Sequence, residues 1–476
     1  MSSGNQIDAF IKPESVTIIG ATQRPGAWGS IVMESLLAWK YPGEIYPVNH
    51  RSKEVFGIPA IPDIASIDGP VDLAVIAIPE ERLEETVKEC GEKGFRGIAI
   101  ITAGFGEAVQ GGREREKALA RLAGSYGMRI LGPNVSGTYN LQAQFNASGT
   151  PFNHLFPSSL AAVCQGGYAI CDLMSSAFSK HMGVGKFIHT GNEADLQLTD
   201  FLEHFGKDPD IQGILMYVET LRNGNRFIEV AKEVAGRKPV VVHKAGRTAA
   251  GARAARSHTG ALAGRQDIFL GAFKQTNIIR CPTMELLFPL THALVERPPM
   301  RGNRVGVMTV GGSWGVTITD FLEDEGLTVP VLSDDLQHHL KELGMPVRAS
   351  TRNPVDIGAA GIIAFEPKAL IQMGRDILLS GEVDALVLHG FGGPGFLDEK
   401  ASDKMRAFLA MEKQVMMGFD DLEKETGKPV VLGCGLSHWE SQAIHDLNEA
   451  GIRTINRLDE IACVLSRIHQ YWGNKT

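Results

Sequence analysis

The pattern that most constrains this chain is a repeated alternation of short apolar runs with longer amphipathic stretches. Near the start the apolar runs are SVTIIGA, DLAVIAIP and GIAIITAG, and a stretch such as ERLEETVKECGEK lies between them. Val/Ile runs without polar interruption are typical of strands buried on both faces of a parallel sheet, and the amphipathic stretches are typical of the covering helices. The sequence therefore predicts an α/β fold that begins with a Rossmann-like unit.

The same alternation returns twice further along the chain. At 476 residues, and with about 150 residues per domain as a guide, the length allows three such units. We predict domains over residues 1–140, 158–296 and 303–476, with an irregular connection from Thr138 to Ser159. The second and third units share the order strand, Gly-Gly, helix, which indicates a diverged internal repeat. The alternative is that α/β strands resemble one another by composition alone.

Charge and cysteine content exclude several classes of protein. A formal net charge of -8 argues against a general nucleic-acid binder, and no apolar run approaches the roughly 18 residues of a membrane helix. The six cysteines form no C-x-x-C pair, which favours reduced thiols over a disulfide framework or a zinc site. We expect a cytoplasmic protein with no metal site of its own and no membrane partner.

The turn after the first strand, Gly20 to Gly29, is the first candidate ligand site. Glycines at the end of a parallel strand let backbone N–H groups approach a phosphate, although here they do not form a G-x-G-x-x-G or a P-loop pattern. The second strand ends in Asn49-His50-Arg51-Ser52-Lys53, where an NAD site would carry an acidic residue. Basic groups there suit an adenosine with an extra phosphate, as in NADP or coenzyme A. A purely structural use of the glycines stays open.

Two further turns fall at the same edge of the first sheet. Pro79 follows one strand and Thr102-Ala103-Gly104-Phe105 follows the next, so a long ligand could lie across them. Gly132-Pro133-Asn134 ends a later strand and could equally be a plain turn.

The segment Lys244 to Gly264 is the most unusual part of the chain. It consists largely of Gly, Ala, Ser and Thr with interleaved arginines, and His258 is its single imidazole. So few large apolar side chains cannot bury the segment, which predicts an exposed or mobile loop. A neutral imidazole near hydroxyls and arginines suits nucleophilic attack on a phosphoryl group. The alternative is a surface loop with an incidental histidine.

A phosphohistidine needs a group that orients the ring and a site for the phosphoryl charge. Glu219, at the end of the strand GILMYVE, is the candidate for the first, and Gly166-Gly167, before a predicted helix, is the candidate for the second. A solvated carboxylate and an ordinary turn are the alternatives. The corresponding turn of the third unit, Gly311-Gly312-Ser313, has no histidine loop, which favours a structural or interface role.

From Ile11 to Tyr471 the chain resembles the NDP-forming acyl-CoA synthetases, in particular the α subunit of ADP-forming acetate–CoA ligases, which is related to the succinyl-CoA synthetase α subunit. Arg253 to Gly264 is the most specific match, since it resembles the family's Ala-Ser-Ser-His-Thr-Gly-x-Leu-Ala-Gly signature. The resemblance implies a Rossmann-like CoA-binding domain followed by two flavodoxin-like domains. It also implies that His258 is the phosphohistidine and Glu219 its orienting partner.

The resemblance further implies two sets of binding residues. The CoA-binding set is Gly20, Thr22, Arg24, Gly26, Trp28, Gly29, Asn49, Arg51, Lys53, Pro79, Thr102, Ala103, Phe105 and Asn134. The phosphate-binding set is Gln165, Gly166, Gly167, Ser257, Thr259 and Gly260. Gly191-Asn192 and Asn353-Pro354-Val355-Asp356 match family turns without a derivable role. Gln165-Gly166-Gly167 departs from the usual Gln-Ser-Gly, and Gly312-Ser313-Trp314-Gly315 from Gly-Gly-Pro-Gly.

By the same resemblance the chain is one part of a larger enzyme. Members of the family need an ATP-grasp module for ATP or ADP with Mg²⁺, and the three α/β units leave no room for it. A separate ATP-grasp β subunit, in an α2β2 assembly, is therefore expected, with the reaction acid + CoA + ATP = acyl-CoA + ADP + phosphate and a small carboxylic acid as substrate. The alternatives are a non-catalytic CoA-binding or regulatory protein and, using the first domain, an NADP-dependent oxidoreductase.

Overall fold

The computed structural model describes residues 3–108, 111–149, 156–167, 174, 177, 180–251, 253–254, 266–345, 348–358, 366–396 and 401–473. The described chain divides into two compact units. The first comprises Met1–Phe178 and Met182–Thr291, and the second comprises Ser179–His181 and His292–Thr476. No helix in these ranges is both long enough and apolar enough to cross a membrane.

The first unit contains two sheets and a small antiparallel pair. Its strands are β1 Ser15–Ile19, β2 Glu44–Val48, β3 Glu54–Val55, β4 Ile58–Pro59, β5 Leu73–Ile76, β6 Gly97–Ile100, β7 Arg129–Leu131, β8 Gly137–Asn140, β9 Phe145–Ser148, β10 Leu160–Cys164, β11 Lys186–His189, β12 Gly213–Val218, β13 Val240–Lys244 and β14 Ile279–Arg280. Its helices are Ser3–Ile11, Trp28–Ala38, Leu83–Glu92, Gly112–Ser125, Leu198–Lys207, Gly224–Arg237 and Gln266–Thr276, with 3-10 turns at Ile64–Ser66 and Glu80–Arg82.

The second unit contains the third sheet. Its strands are β15 Val305–Thr309, β16 Val355–Asp356, β17 Ala385–His389, β18 Val430–Gly433 and β19 Thr454–Ile455. Its helices are Gly312–Asp324, Asp334–Glu342, Pro367–Leu379, Asp403–Thr426, Gln442–Glu449 and Leu458–Gly473. The helix Leu287–Glu296 lies where the chain passes from the first unit to the second.

Each of the three main sheets contains a series of five parallel strands in the same order. The orders are β2-β1-β5-β6-β7, then β11-β10-β12-β13-β14, then β16-β15-β17-β18-β19, and the pairs within each series are parallel. Numbered within its own sheet, each series reads 2-1-3-4-5, which is the flavodoxin-like order. The predicted α/β class with three parallel sheets is confirmed.

Burial explains why the apolar runs became strands. All but one of the residues of β12 are buried, as expected for a strand covered by helices on both faces. The helix Gly224–Arg237 shows the complementary pattern, because Phe227, Val230, Ala231 and Val234 recur at helical spacing and form its buried face. Its start is fixed by Asn223, whose side chain accepts a hydrogen bond from Arg226 N–H at 3.1 Å.

The predicted irregular connection from Thr138 to Ser159 is wrong over part of its length. β8 and β9 form a hairpin, and β8 pairs antiparallel with β11 at the edge of the second sheet. The polar residues of the hairpin are buried because they have internal partners. Thr138 Oγ1, for example, lies 2.9 Å from Phe10 O and 3.0 Å from Phe187 O.

Candidate active site

The turn Gly20 to Gly29 brings strand and helix closer together than any side chain would allow. Gly20 has a φ of +97°, and a Cβ on Gly29 would lie 2.0 Å from Gly20 O. The cleft beside this turn has a volume of about 390 Å³. Its lining includes eight of the predicted CoA-binding residues, namely Gly20, Thr22, Arg24, Gly26, Trp28, Gly29, Pro79 and Thr102.

Asn49 connects this turn to the basic end of β2. Its Nδ2 donates to Ala21 O at 2.8 Å, and its Oδ1 accepts from the backbone N–H groups of Arg51 at 2.8 Å and Ser52 at 3.0 Å. The side chains of Arg51 and Lys53 are exposed. Asn49 therefore acts by shaping the turn, while the two cations remain available at the surface.

The turn Thr102–Phe105 divides into a part that faces a cavity and a part that does not. Thr102 Oγ1 donates to Ile78 O at 2.6 Å, and Thr102 and Ala103 line the cavity described next. Phe105 is 1% exposed and packs in the core of the first sheet. The structure thus places the Phe105 side chain away from the ligand-facing surface of its turn.

A larger cavity of about 1000 Å³ joins the two sheets of the first unit. It adjoins the cleft beside the turn Gly20 to Gly29, since Gly26, Trp28, Ile101 and Thr102 line both. The predicted residues around it are Gly26, Trp28, Thr102, Ala103 and Asn134 from the first sheet and Gln165, Gly166, Gly167 and Glu219 from the second. The structure therefore brings the two predicted sets of residues to one place.

The second sheet reaches this cavity at its topological switch point. Gly166 follows β10 and lies beside the end of β12, so that an added Cβ would be 2.8 Å from Tyr217 Cε1 and 3.3 Å from Glu219 Oε1. Ligands of open α/β sheets bind outside the carboxyl ends of the strands at such a point. The predicted residues Ser257, His258, Thr259 and Gly260 lie outside the described residues, but Gly251 and Ala254, a few positions earlier, line the same cavity.

Gln165 holds Glu219 in position. Its Oε1 accepts from Glu219 N–H at 2.7 Å and Thr220 N–H at 2.9 Å, and its Nε2 donates to Thr220 O at 2.9 Å. Its own backbone N–H donates to Tyr217 O at 3.1 Å. These bonds direct the polar groups of Gln165 toward the end of β12, so the structure shows it as a positioning residue for Glu219.

His189 is a cavity residue that the sequence analysis did not select. Its Nδ1 accepts from Ser136 N–H at 2.6 Å, and its Nε2 lies 2.9 Å from Gln165 O. A carbonyl oxygen cannot donate and a backbone N–H cannot accept, so the ring is neutral with its proton on Nε2. Its position inside an ordinary strand pattern gave no signal beyond the residue type.

Two titratable groups near Glu219 have shifted pKa values. Burial lowers the pKa of Lys244 to about 8, although the charge of Glu219 raises it. Burial, together with the charge of Glu219, raises the pKa of Tyr217 above its usual value. Lys244 at the end of β13 is therefore still mostly protonated at pH 7, but it loses its proton more readily than an ordinary lysine.

The turn Gly191-Asn192-Glu193 connects the second sheet to the first. Asn192 Nδ2 donates to Glu116 Oε1 at 2.8 Å and to Glu107 Oε2 at 2.5 Å. Glu193 is buried, and burial raises its pKa to about 7, against the lowering effect of hydrogen bonds from Leu198 N–H, Gln165 and Thr190. This gives the Gly-Asn turn, which had no derivable role, a structural one. Among the described residues, no group of three or more His, Cys, Asp or Glu is suited to bind a metal ion.

Two family models match the chain. Residues 14–140 match a CoA binding domain, and residues 157–294 match a succinyl-CoA ligase like flavodoxin domain. Together these matches include the glycine turn, the cavity lining from both sheets and the segment around His258.

The chain is also similar to named proteins over most of its length. It is 34% identical over 468 residues to the α subunit of ADP-forming acetate–CoA ligase II of Pyrococcus furiosus, covering 98% of each chain. It is 36% identical over 347 residues to the ADP-forming acetate–CoA ligase of Methanocaldococcus jannaschii, of which it covers 48%. The solved structure of dinucleotide-forming acetyl-coenzyme A synthetase 1 of Candidatus Korarchaeum cryptofilum, in complex with phosphate and ADP, superposes with a TM-score of 0.84 at 32% identity and covers 98% of this chain. The chain therefore belongs to the family of α subunits of the ADP-forming acetate/acyl-CoA ligases.

Proposed function

We propose that this chain binds CoA across the turns of its first sheet and carries a phosphoryl group on His258. The observation that supports this is the single cavity where the CoA-side residues Thr102 and Asn134 meet Gly166, Gly167 and Glu219. Gly251 and Ala254, which precede His258 in the chain, line the same cavity, and we propose that the imidazole acts there. Glu219, held by Gln165, would accept the proton of the ring nitrogen that does not carry phosphate.

The proposed reaction proceeds in three steps, two phosphoryl transfers followed by an acyl transfer. An imidazole nitrogen of His258 attacks the γ-phosphorus of ATP, and ADP leaves. A carboxylate oxygen of the acid then attacks the phosphoryl group, which releases the imidazole and gives an acyl phosphate. Finally the CoA thiolate attacks the acyl carbon, and phosphate leaves. Backbone N–H groups of Gly166 and Gly167 would stabilise the phosphoryl charge at the last two steps.

We infer that the nucleotide site lies on a separate partner subunit. This chain spans nearly all of an α subunit from Pyrococcus furiosus but about half of the single-chain ligase of Methanocaldococcus jannaschii. We infer that the other half is an ATP-grasp β subunit that binds ATP or ADP with Mg²⁺, in an α2β2 assembly. Co-expression with that subunit and a mass measurement in solution test the composition.

The test of the proposed chemistry is phosphohistidine labelling. The chain, with its β subunit, is incubated with γ-labelled ATP, and we expect an acid-labile, base-stable label that is lost in His258→Ala. His338→Ala is the matched control, because His338 is an exposed histidine of the second unit. If His258→Ala retains the label, the proposal is wrong. Calorimetric CoA binding without any label would instead support a non-catalytic CoA-binding protein.

A further inference from the structure

His189 links the second sheet to the first through both nitrogens of its ring. The side chain is 4% exposed, its Nδ1 accepts from Ser136 N–H at 2.6 Å, and its Nε2–H donates to Gln165 O at 2.9 Å. Two residues before Ser136, the N–H of Asn134 donates to Thr102 O at 3.1 Å. One imidazole therefore connects the turns on the CoA side of the cavity with the turn proposed for the phosphoryl group.

The bond to Gln165 O also controls the direction of a neighbouring N–H group. A peptide bond is planar, so the oxygen of Gln165 and the N–H of Gly166 lie in one plane and point to opposite sides. The other bonds of Gln165, from its own N–H to Tyr217 O and from Glu219 N–H to its Oε1, lie on the far side of its Cα–C bond and do not hold this plane. Because glycine permits many backbone angles, the plane can rotate at little cost unless its oxygen is bonded.

The ring can reach this peptide because the next residue has no side chain. A Cβ on Gly167 would lie 3.1 Å from His189 Cε1, tighter than an ordinary contact, so a side chain there would push the ring away. The proton that the bond needs is placed by the first sheet. Since Ser136 N–H donates to Nδ1, the proton of the neutral ring is on Nε2, which faces Gln165 O.

We propose that His189 is a positioning residue of this enzyme, and that its Nε2–H holds the Gln165–Gly166 peptide so that Gly166 N–H stays directed at the phosphoryl group. This inference rests on the proposed function and deepens it. Transfer of the phosphoryl group from His258 to the acid uses Gly166, whereas labelling of His258 by ATP uses the nucleotide site of the partner. Loss of the His189 donor should therefore slow the transfer and leave the labelling unchanged. Outright removal of an oxyanion donor costs about 10²–10³ in kcat, and we expect about ten-fold for a donor that is present but no longer held.

The test separates the two processes in the holoenzyme. The enzyme is labelled at His258 with γ-labelled ATP and freed of ADP, acetate and CoA are added, and the loss of label is followed by rapid quenching. In His189→Asn the shorter side chain can accept from Ser136 N–H but cannot reach Gln165 O, whereas in His189→Gln the amide can donate from near the position of Nε2. We expect label loss to be about ten-fold slower in His189→Asn and His189→Phe, and within about three-fold of the natural rate in His189→Gln. His204→Asn, at a half-buried histidine that lines a separate cavity of the same unit, is the control and should leave the rate unchanged.

Formation of the label by ATP should proceed at the natural rate in all of these variants, which also shows that each one is folded. Unchanged label loss in His189→Asn and His189→Phe would overturn the inference, as would equal slowing in His189→Asn and His189→Gln. Slowing of label formation and label loss by the same factor would indicate a purely structural role and would overturn it too. Should His189→Phe not fold, the comparison of His189→Asn with His189→Gln decides.

The failure of this inference can be told apart from the failure of the proposed function. If the natural enzyme takes no label on His258, the proposed function itself is wrong. If the natural enzyme is labelled and the variants do not behave as expected, only the role of His189 is contradicted.

Discussion

Replacing Gln165 by methionine tests whether this side chain holds Glu219 in place. Methionine has a similar length and removes the amide, so three bonds to Glu219 N–H, Thr220 N–H and Thr220 O are lost. The bond between His189 Nε2 and Gln165 O involves the backbone and is retained. The perturbation therefore acts at the end of β12 and, through the lost hydrogen bond from the Gln165 side chain, at Glu193.

The magnitude follows from the burial of the three groups. Glu219 and Thr220 are 5% and 4% exposed, and a buried polar group without a partner costs about 1–3 kcal/mol. Because the adjoining cavity gives water access to them, we take the low end, about 1 kcal/mol each and about 3 kcal/mol in total. A loss of that size makes local opening roughly a hundred-fold more frequent.

Amide hydrogen exchange followed by mass spectrometry of a peptide that covers Gly213–Thr220 measures this directly. We expect exchange at Glu219 and Thr220 to be roughly a hundred-fold faster in Gln165→Met, and labelling of His258 to slow at least ten-fold. Gln212→Met is the matched control, because Gln212 is an exposed glutamine that immediately precedes β12 and should change the free energy of unfolding by less than about 0.5 kcal/mol. Unchanged exchange in a folded Gln165→Met chain would refute the positioning role.

Three further changes test other parts of the first unit. The pKa of Glu193 is about 7 in the folded chain and near 4.5 in the unfolded chain, so the folded chain loses stability as the pH rises from 4.5 to 7. In urea unfolding at pH 8, Glu193→Gln should therefore be more stable than the natural chain by up to about 3 kcal/mol. Below pH 4.5 this difference should disappear. Gly29→Ala should abolish calorimetric CoA binding because its Cβ would meet Gly20 O, whereas Gly124→Ala, a helical glycine with open space around it, should stabilise by about 0.5–1 kcal/mol. Because the pKa of Lys244 is about 8 in the folded chain and 10.5 in the unfolded chain, the natural chain should gain stability as the pH rises from 8 to 10.5. In urea unfolding, the stability of Lys244→Met should depend less on pH over this range.

The α/β class and its three sheets could be predicted because their signal is local. Runs such as β5 and β6 are short, are followed by a turn and are buried at every position, as expected for strands covered by helices on both faces. The hairpin of β8 and β9 could not be predicted. Its burial pattern depends on partners such as Phe10 and Phe187, which are distant in sequence, and polar residues then occupy buried positions without any periodic signal.

The residues of the candidate site also divide into those that could be predicted from the sequence and those that could not. The glycine turns and Glu219 follow from strand ends and could be selected from the sequence alone. The positioning role of Gln165 could not be predicted from the sequence, because an amide beside a Gly-Gly turn is equally suited to bind an anion. The structure shows instead that Gln165 Oε1 lies 2.7 Å from Glu219 N at the end of β12. His189 and Asn192 are similar cases, because their roles depend on the approach of the first sheet to the second.

The second and third sheets show why topology alone does not assign this chemistry. Both have the order 2-1-3-4-5, and in both a Gly-Gly pair follows the first strand. His389 of the third sheet occupies the position that Tyr217 occupies in the second: His389 pairs with Thr309 at the end of β15, and Tyr217 pairs with Cys164 at the end of β10. Burial lowers the pKa of His389 to about 4, so the ring is neutral at pH 7, and Trp314 packs against it with ring centroids 5.0 Å apart. The second sheet instead has a carboxylate, Glu219, two residues beyond Tyr217. This difference in side chains, on one shared topology, is the reason for proposing phosphoryl transfer at the second sheet and not at the third.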